Sequence, residues 1–344
     1  MNGMIRAGAI AFITTLVLVP AIRRLCNRWG LFDKSGPLKI HSGAIPRLGG
    51  VAISISIAGG IGFNLPSQAT PIWPFFAALA SIWTLGFADD LRELAPILRL
   101  AIQIFGGILL WCGGWRLPLL TYNACNLVGV CLFLGLFVNA FNFLDGADGL
   151  CAGVAAIIAG AYIVLPGFTA STLGSLVAWS LLGTSVGFLV SNFPPANIFL
   201  GDSGSTVLGF CVAFLGLDFY RSNMSNVNGI TVFFPLLIAA LPLLDAILVV
   251  SRRLRSRRPV LGGDRTHFYD FLMAQGWSSR RIAVTVYAIS AATCGIAGLA
   301  LRCDFGIAFI LSLTSVTTLL LLGFRLGTLK QNEKSRAAGM IKAG

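Results

Sequence analysis

The chain has 344 residues, of which 56% are hydrophobic and 11% charged, with a formal net charge of +12. A soluble domain carries about 25% charged residues, so a water-soluble globular protein is excluded. A disordered chain is excluded too, and 8 Cys in the whole length are too few for a disulfide scaffold.

What remains is a polytopic membrane protein. Its apolar runs are continuous, as membrane helices require, whereas β-barrel spans are ~10-residue alternating segments. Eleven spans are expected in an all-α fold, at 4–22, 49–64, 72–88, 100–115, 127–144, 150–166, 173–191, 204–217, 229–250, 282–301 and 305–323. The count falls to ten if one of the short segments, 49–64 or 204–217, does not cross. The first segment reads as a permanent helix, because Arg23 and Arg24 follow it and no small-residue cleavage site does. No internal repeat and no soluble domain is visible. The chain therefore reads as one transmembrane domain over 1–344, with a basic loop at 251–281 and a polar tail at 324–344.

Lys/Arg bias orients the spans. Of the 25 basic residues, 21 lie in alternate loops and the tail, and only Arg6, Arg116, Arg221 and Arg302 lie on the other side. The cytoplasmic face is therefore expected at 23–48, 89–99, 145–149, 192–203, 251–281 and 324–344, with the N-terminus outside. The positive charge then lies against the anionic inner leaflet. No C-x-x-C occurs, so a zinc site is not expected.

Intramembrane carboxylates are costly, and a chain with 13 Asp+Glu and 2 His can be read acid by acid. Ten acids fall on the cytoplasmic side: Asp33, Asp89, Asp90, Glu93, Asp145, Asp148, Asp202, Asp264, Asp270 and Glu333. Asp245 lies inside the ninth segment, and Asp218 and Asp304 are outside. Acids gathered on the side already rich in Lys/Arg suggest a divalent cation site there.

Five clusters carry this chemistry. In KIHSGAIPRLGGVAI (39–53), His41 and Arg47 enter the second segment through a Pro-Gly turn. In GFADDLRELAPILRLAIQ (86–103), Asp89 and Asp90 are adjacent. They repel unless a cation or proton is shared, and the bland alternative is pairing with Arg92 or Arg99. In NAFNFLDGADGL (139–150), Asn139 and Asn142 share a helix face. Asp145 and Asp148 follow in a Gly-broken turn, and these are oxygen ligands suited to Mg²⁺ or, more simply, turn caps. In NFPPANIFLGDSGSTVLGF (192–210), Asp202 begins a helix, where an N-cap is the bland reading. In GGDRTHFYDFLMAQGW (262–277), His267 is flanked by Asp264, Arg265 and Asp270.

Five such motifs in this order, across about 39–277, resemble the polyprenyl-phosphate N-acetylhexosamine-1-phosphate transferases. That family includes the enzymes that initiate O-antigen, common antigen and teichoic acid linkage synthesis, and the phospho-MurNAc-pentapeptide translocase of peptidoglycan. The resemblance implies an all-helical inner (plasma) membrane enzyme with a cytoplasmic active site and a Mg²⁺ requirement, Mn²⁺ often substituting. It implies transfer of a sugar-1-phosphate from a UDP-sugar to undecaprenyl phosphate with release of UMP. By motif position it implies Asp202 as metal ligand and Asp89, Asp90 and His267 as catalytic residues. Asn139, Asn142, Asp145, Asp148, Asn192, Arg265, His41 and Arg47 are implied around the substrates. Membrane lipids are the other partners. A homodimer is an open arrangement, and nucleic acid is not expected.

Many members have clustered His where this chain has His267-Phe268-Tyr269, a form closer to the O-antigen and common-antigen initiating branches. The donor implied is a UDP-N-acetylhexosamine such as UDP-GlcNAc or a 6-deoxy relative. Two other readings fit less well. A transporter places its acids near the bilayer midplane on broken helices. A CDP-alcohol phosphatidyltransferase has D-G-x-x-A-R, whereas Asp145-Gly146 is followed by Ala-Asp-Gly-Leu.

Overall fold

A computed structural model describes residues 2–33, 45–65, 72–165, 171–224, 229–257 and 267–343. All eleven expected segments are helical. The helices are α1 (Asn2–Trp29), α2 (Gly49–Gly62), α3 (Trp73–Leu91), α4 (Pro96–Cys112), α5 (Asn123–Leu144), α6 (Leu150–Val164), α7 (Thr172–Asn192), α8 (Asp202–Ser222), α9 (Gly229–Ile238), α10 (Ala240–Arg255), α11 (Phe268–Ala274), α12 (Ser279–Ala300) and α13 (Phe305–Ala343). A two-residue ribbon, β1 (Phe32–Asp33) against β2 (Ile45–Pro46), is antiparallel. The protein is an all-α polytopic membrane protein.

Among the described residues six helices, namely α1, α5, α7, α8, α12 and the 305–323 part of α13, are long and apolar enough to cross a membrane, and the bent pair α9–α10 makes a seventh. Helices α2, α4 and α6 are apolar but only 14, 17 and 15 residues long. At 1.5 Å per residue they span about 21–26 Å, short of the ~30 Å hydrocarbon core.

The structure revises three expected boundaries. The segment 229–250 is not one straight rod, since α9 and α10 meet at 75°. Pro242, on the first turn of α10, has no N–H to donate back toward Ile238, and its ring crowds that carbonyl. The basic stretch 251–281 is not simply a loop, because it contains the end of α10, all of α11 and the start of α12. The tail continues helically as part of α13.

Helix α8 is the hub. The whole of its membrane-length window is buried, with α2, α3, α5, α6, α7 and α9 packed around it. Lipid offers no hydrophobic drive for helix association, so close packing depends on small residues. The first turns of α8 read Asp-Ser-Gly-Ser-Thr, and Gly86 of α3 lies so near that a Cβ there would stand 2.6 Å from the Asp202 carbonyl oxygen. This approach brings the end of α3 and its paired carboxylates to the start of α8.

Candidate active site

The site forms where α3 ends, α5 ends and α8 begins. Asp89 and Asp90, adjacent in sequence, have different tasks. Asp90 is buried. Its Oδ1 accepts the backbone N–H of Asp202 at 2.8 Å, and its Oδ2 accepts the N–H of Ser203 at 3.0 Å and the Ser203 hydroxyl. Arg47 adds an ion pair to Oδ1 at 3.1 Å. A carboxylate at free helix N–H groups is favoured by charge and dipole, so Asp90 caps α8 from another helix. Gly201 makes room for it. That residue has φ +74°, and a Cβ there would meet Asp90 Oδ1 at 2.7 Å. Expected as a catalytic partner of Asp89, Asp90 has both oxygens committed to holding α8, and Arg47 braces it.

Asp89 is turned the other way. Its Oδ1 accepts the backbone N–H of Leu94 at 2.7 Å and pairs with Arg99 Nη2 at 2.8 Å. Its carboxyl also lies within hydrogen-bond reach of the Asp202 side chain. Asp202 is not the N-cap; that position is Gly201. Its Oδ1 accepts from Asn142 Nδ2 at 2.6 Å, and Asn142 also donates to the Ser205 hydroxyl at 3.1 Å. Asp145, in the turn after α5, is pushed well above the usual carboxylate range by burial and then by Asp202, Asp90 and Asp148, with Arg47 opposing.

Two facing carboxylates within a larger negative cluster fit a hard divalent cation. All the donors are oxygens, and two facing carboxylates repel unless a cation lies between them. Among the described residues no three His, Cys, Asp or Glu side chains form a metal cage. A pair of carboxylates completed by water and substrate phosphates is the usual Mg²⁺ arrangement.

The remaining expected residues divide. Asn192, implied at the substrate, is instead buried as a staple: its Oδ1 accepts from Gly149 N at 3.0 Å and its Nδ2 donates to the Ile198 carbonyl at 2.8 Å. Asp148 supports the same junction by accepting from Ala196 N at 3.0 Å, and Tyr287 donates to the Gly149 carbonyl at 2.7 Å. Asn139 is not at the carboxylates either. It bonds Gln103 Oε1 at 2.8 Å and the Gly135 carbonyl at 2.7 Å. Both amides line an apolar groove of ≈ 710 Å³ between α4, α5 and α10. His41 and Arg265 lie outside the described residues.

His267 brings in a residue the motifs did not. It is buried, and its Nδ1 lies 2.8 Å from Asp245 Oδ2 on α10. Asp245 Oδ1 also accepts the backbone N–H of Phe268 at 3.2 Å, and Asp270 Oδ2 accepts that of His267 at 3.1 Å. The imidazole stacks on Tyr269, with ring centres 5.0 Å apart, and meets Phe143 edge-on. The Tyr269 hydroxyl donates to the Phe143 carbonyl at 2.9 Å, which ties α11 to the end of α5. Asp245 therefore orients the ring and leaves Nε2 as the nitrogen for other partners. Its signal in the sequence was being the lone acid within an apolar segment.

The sequence model described as "Glycosyl transferase family 4" matches residues 72–220, which run from the start of α3 to the last turn of α8 and include the carboxylate cluster. Over this stretch the chain is similar to glycosyl transferase family 4. It is 29% identical over 301 residues to a "Probable undecaprenyl-phosphate N-acetylglucosaminyl 1-phosphate transferase" of Bacillus subtilis, covering 84% of this chain and 82% of the relative. It is 26% identical to the "Undecaprenyl-phosphate alpha-N-acetylglucosaminyl 1-phosphate transferase" of Yersinia pestis, covering 83% of this chain and 82% of that one. It is also 26% identical to the protein of that name from Escherichia coli K12, covering 84% and 82%. These relatives align across most of the helical bundle.

Proposed function

We propose that this protein is a member of glycosyl transferase family 4 that transfers N-acetylhexosamine-1-phosphate from a UDP-sugar to undecaprenyl phosphate and releases UMP, as the first membrane step of a cell-surface glycan pathway. The observation that carries the reading is the facing of Asp89 and Asp202, contributed by helices 113 residues apart in sequence and supported by Asn142, Arg47 and Arg99. The relatives' names supply the acceptor and the sugar.

An oxygen of the lipid phosphate attacks the β-phosphorus of the donor, and the bond from that phosphorus to the UMP oxygen breaks. One pyrophosphate is exchanged for another, so ATP is not needed. Like charges must be brought together, and catalysis is therefore mainly neutralisation and alignment. A phosphate monoester has a second pKa near 6, so the acceptor is largely dianionic at pH 7 and requires no strong base. Asp89 and Asp202, with Asn142 fixing Asp202, are the residues that would hold Mg²⁺ or Mn²⁺. When bound, the ion supplies charge neutralisation at the pyrophosphate. His267, oriented by Asp245, hydrogen-bonds the donor's phosphates or sugar. The apolar groove beside the site accommodates the prenyl chain, so only the head group reaches the carboxylates.

The active site faces the cytoplasm of the inner membrane on this reading, following the 21-to-4 distribution of Lys/Arg. Purified protein incubated with undecaprenyl phosphate, Mg²⁺ and a panel of UDP-sugars should release UMP with UDP-N-acetylhexosamines. Absence of UMP from every donor, with the protein folded, rejects the proposal.

A further inference from the structure

The apolar groove ends beside residues whose sequence neighbours hold the carboxylate cluster. The groove is walled by α4 from Leu100 to Ile108, by α5 from Leu127 to Phe143 and by α10 from Ala246 to Ser251. Its site-side end is set by Leu100, Phe143 and Ser251. Phe143 is the neighbour of Asn142, which holds Asp202, and Leu100 is the neighbour of Arg99, which holds Asp89. A lipid lying in the groove thus ends its apolar chain against Leu100, the residue that follows Arg99 on α4.

That guanidinium is only partly used. Arg99 Nη2 bonds Asp89 Oδ1 at 2.8 Å, yet its Nε is buried with no hydrogen-bond partner. A buried N–H left unpaired is costly, and guanidinium is the side chain best matched to a phosphate, through two parallel N–H···O bonds. Asp89 keeps a second donor, the backbone N–H of Leu94 at 2.7 Å, so it stays fixed when Arg99 turns away. About a third of the Arg99 side chain is exposed, against 4% for Asp89, so an arriving head group meets Arg99 first.

We infer that Arg99 binds the phosphate of the acceptor lipid, exchanging Asp89 for it while the Leu94 N–H keeps Asp89 in place. The inference rests on the function proposed above and assigns the acceptor head group to one residue. The ligand class is a monophosphate on an apolar chain. A prenyl alcohol lacks the group that Arg99 reads. Arg99 is also a gate: with no acceptor bound, its charge stays on Asp89.

The test uses the full-length protein and the Arg99→Gln and Arg99→Lys variants. The first arm measures equilibrium binding of farnesyl phosphate and of farnesol. Wild type should prefer the phosphate by about tenfold or more, Arg99→Gln should lose that preference while farnesol binding stays the same, and Arg99→Lys should retain part of it. The second arm measures KM for undecaprenyl phosphate and for the UDP-sugar, and only the first should rise. If Arg99→Gln lowers kcat with both KM values and the phosphate preference intact, Arg99 serves only to hold Asp89 and the inference is wrong. If wild type releases no UMP from any UDP-sugar, the functional proposal fails, and the binding arm still decides the role of Arg99. Should Arg99→Gln not fold, Arg99→Lys decides alone: an unchanged phosphate preference with impaired turnover overturns the inference.

Discussion

Asp90 accepts both the backbone N–H and the hydroxyl of Ser203, so the last turn of α3 caps the first turn of α8. Its neighbour Asp89 instead faces Asp202 and Arg99. Substitution should therefore separate the pair. Asp90→Ala leaves two N–H groups and a hydroxyl unpaired and is expected to destabilise the fold by about 1–3 kcal/mol. Asp89→Asn removes one of two facing carboxylates and should abolish turnover with stability unchanged or raised. Thermal unfolding in detergent beside UMP release distinguishes them, and equal melting losses in both would contradict this division.

The facing carboxylates predict divalent cation dependence. Chelation with EDTA should stop UMP release, and Mg²⁺ or Mn²⁺ should restore it. The same ions should raise the melting temperature of wild type, because a ligand that binds only the folded state stabilises it. Asp202→Asn should lose both responses. An ion-dependent melting shift that survives in Asp202→Asn would place the ion elsewhere.

Asp218 illustrates how position along a span can mislead. Placed outside by topology, it would be expected to tolerate substitution. In the fold it is buried and accepts the Trp115 indole N–H at 3.1 Å, which joins the α4–α5 connection to the end of α8. Asp218→Ala should cost about 1–3 kcal/mol by orphaning that N–H, with substrate KM values unchanged. Asp218→Asn keeps an acceptor and should cost less. Asp304, exposed at the start of α13, should be near-neutral, and melting curves of the three variants check the ranking.

His267 and Asp245 act as a unit if Asp245 works by orienting the ring. His267→Ala is expected to raise KM for the UDP-sugar while KM for undecaprenyl phosphate stays constant, if the imidazole contacts the donor alone. Asp245→Ala should show the same pattern, and the double variant should be no worse than His267→Ala alone. Losses that multiply in the double-mutant cycle would mean that Asp245 has a separate task.

Topology can be checked from both ends. Asn2 should lie outside and Lys342 inside, by the charge bias and an odd number of crossings. Single-cysteine labelling from outside the cell reports each end. Labelling of both from one side would show that a short helix, α2 being the shortest of the three apolar ones, does not cross.

The sequence alone was sufficient for membrane residence, for all eleven helical segments and for the clusters around Asp89, Asp145, Asp202 and His267. These are written locally, in apolar run length, Lys/Arg bias and acids where acids are costly. The partner of each polar atom was decided only by the tertiary structure. Asp89 and Asp90 look alike in sequence, and Gly86, by letting α3 close on α8, sends one to a helix cap and the other toward the site. Asn192 and Asn139 match the motif, yet the first staples two turns and the second faces the groove. Asp245 and His267 lie 22 residues apart and meet because Pro242 breaks the ninth span and α11 folds back against α5. Hydrogen bonds between distant segments leave no periodic trace along the chain, and their partners exist only once the helices have packed.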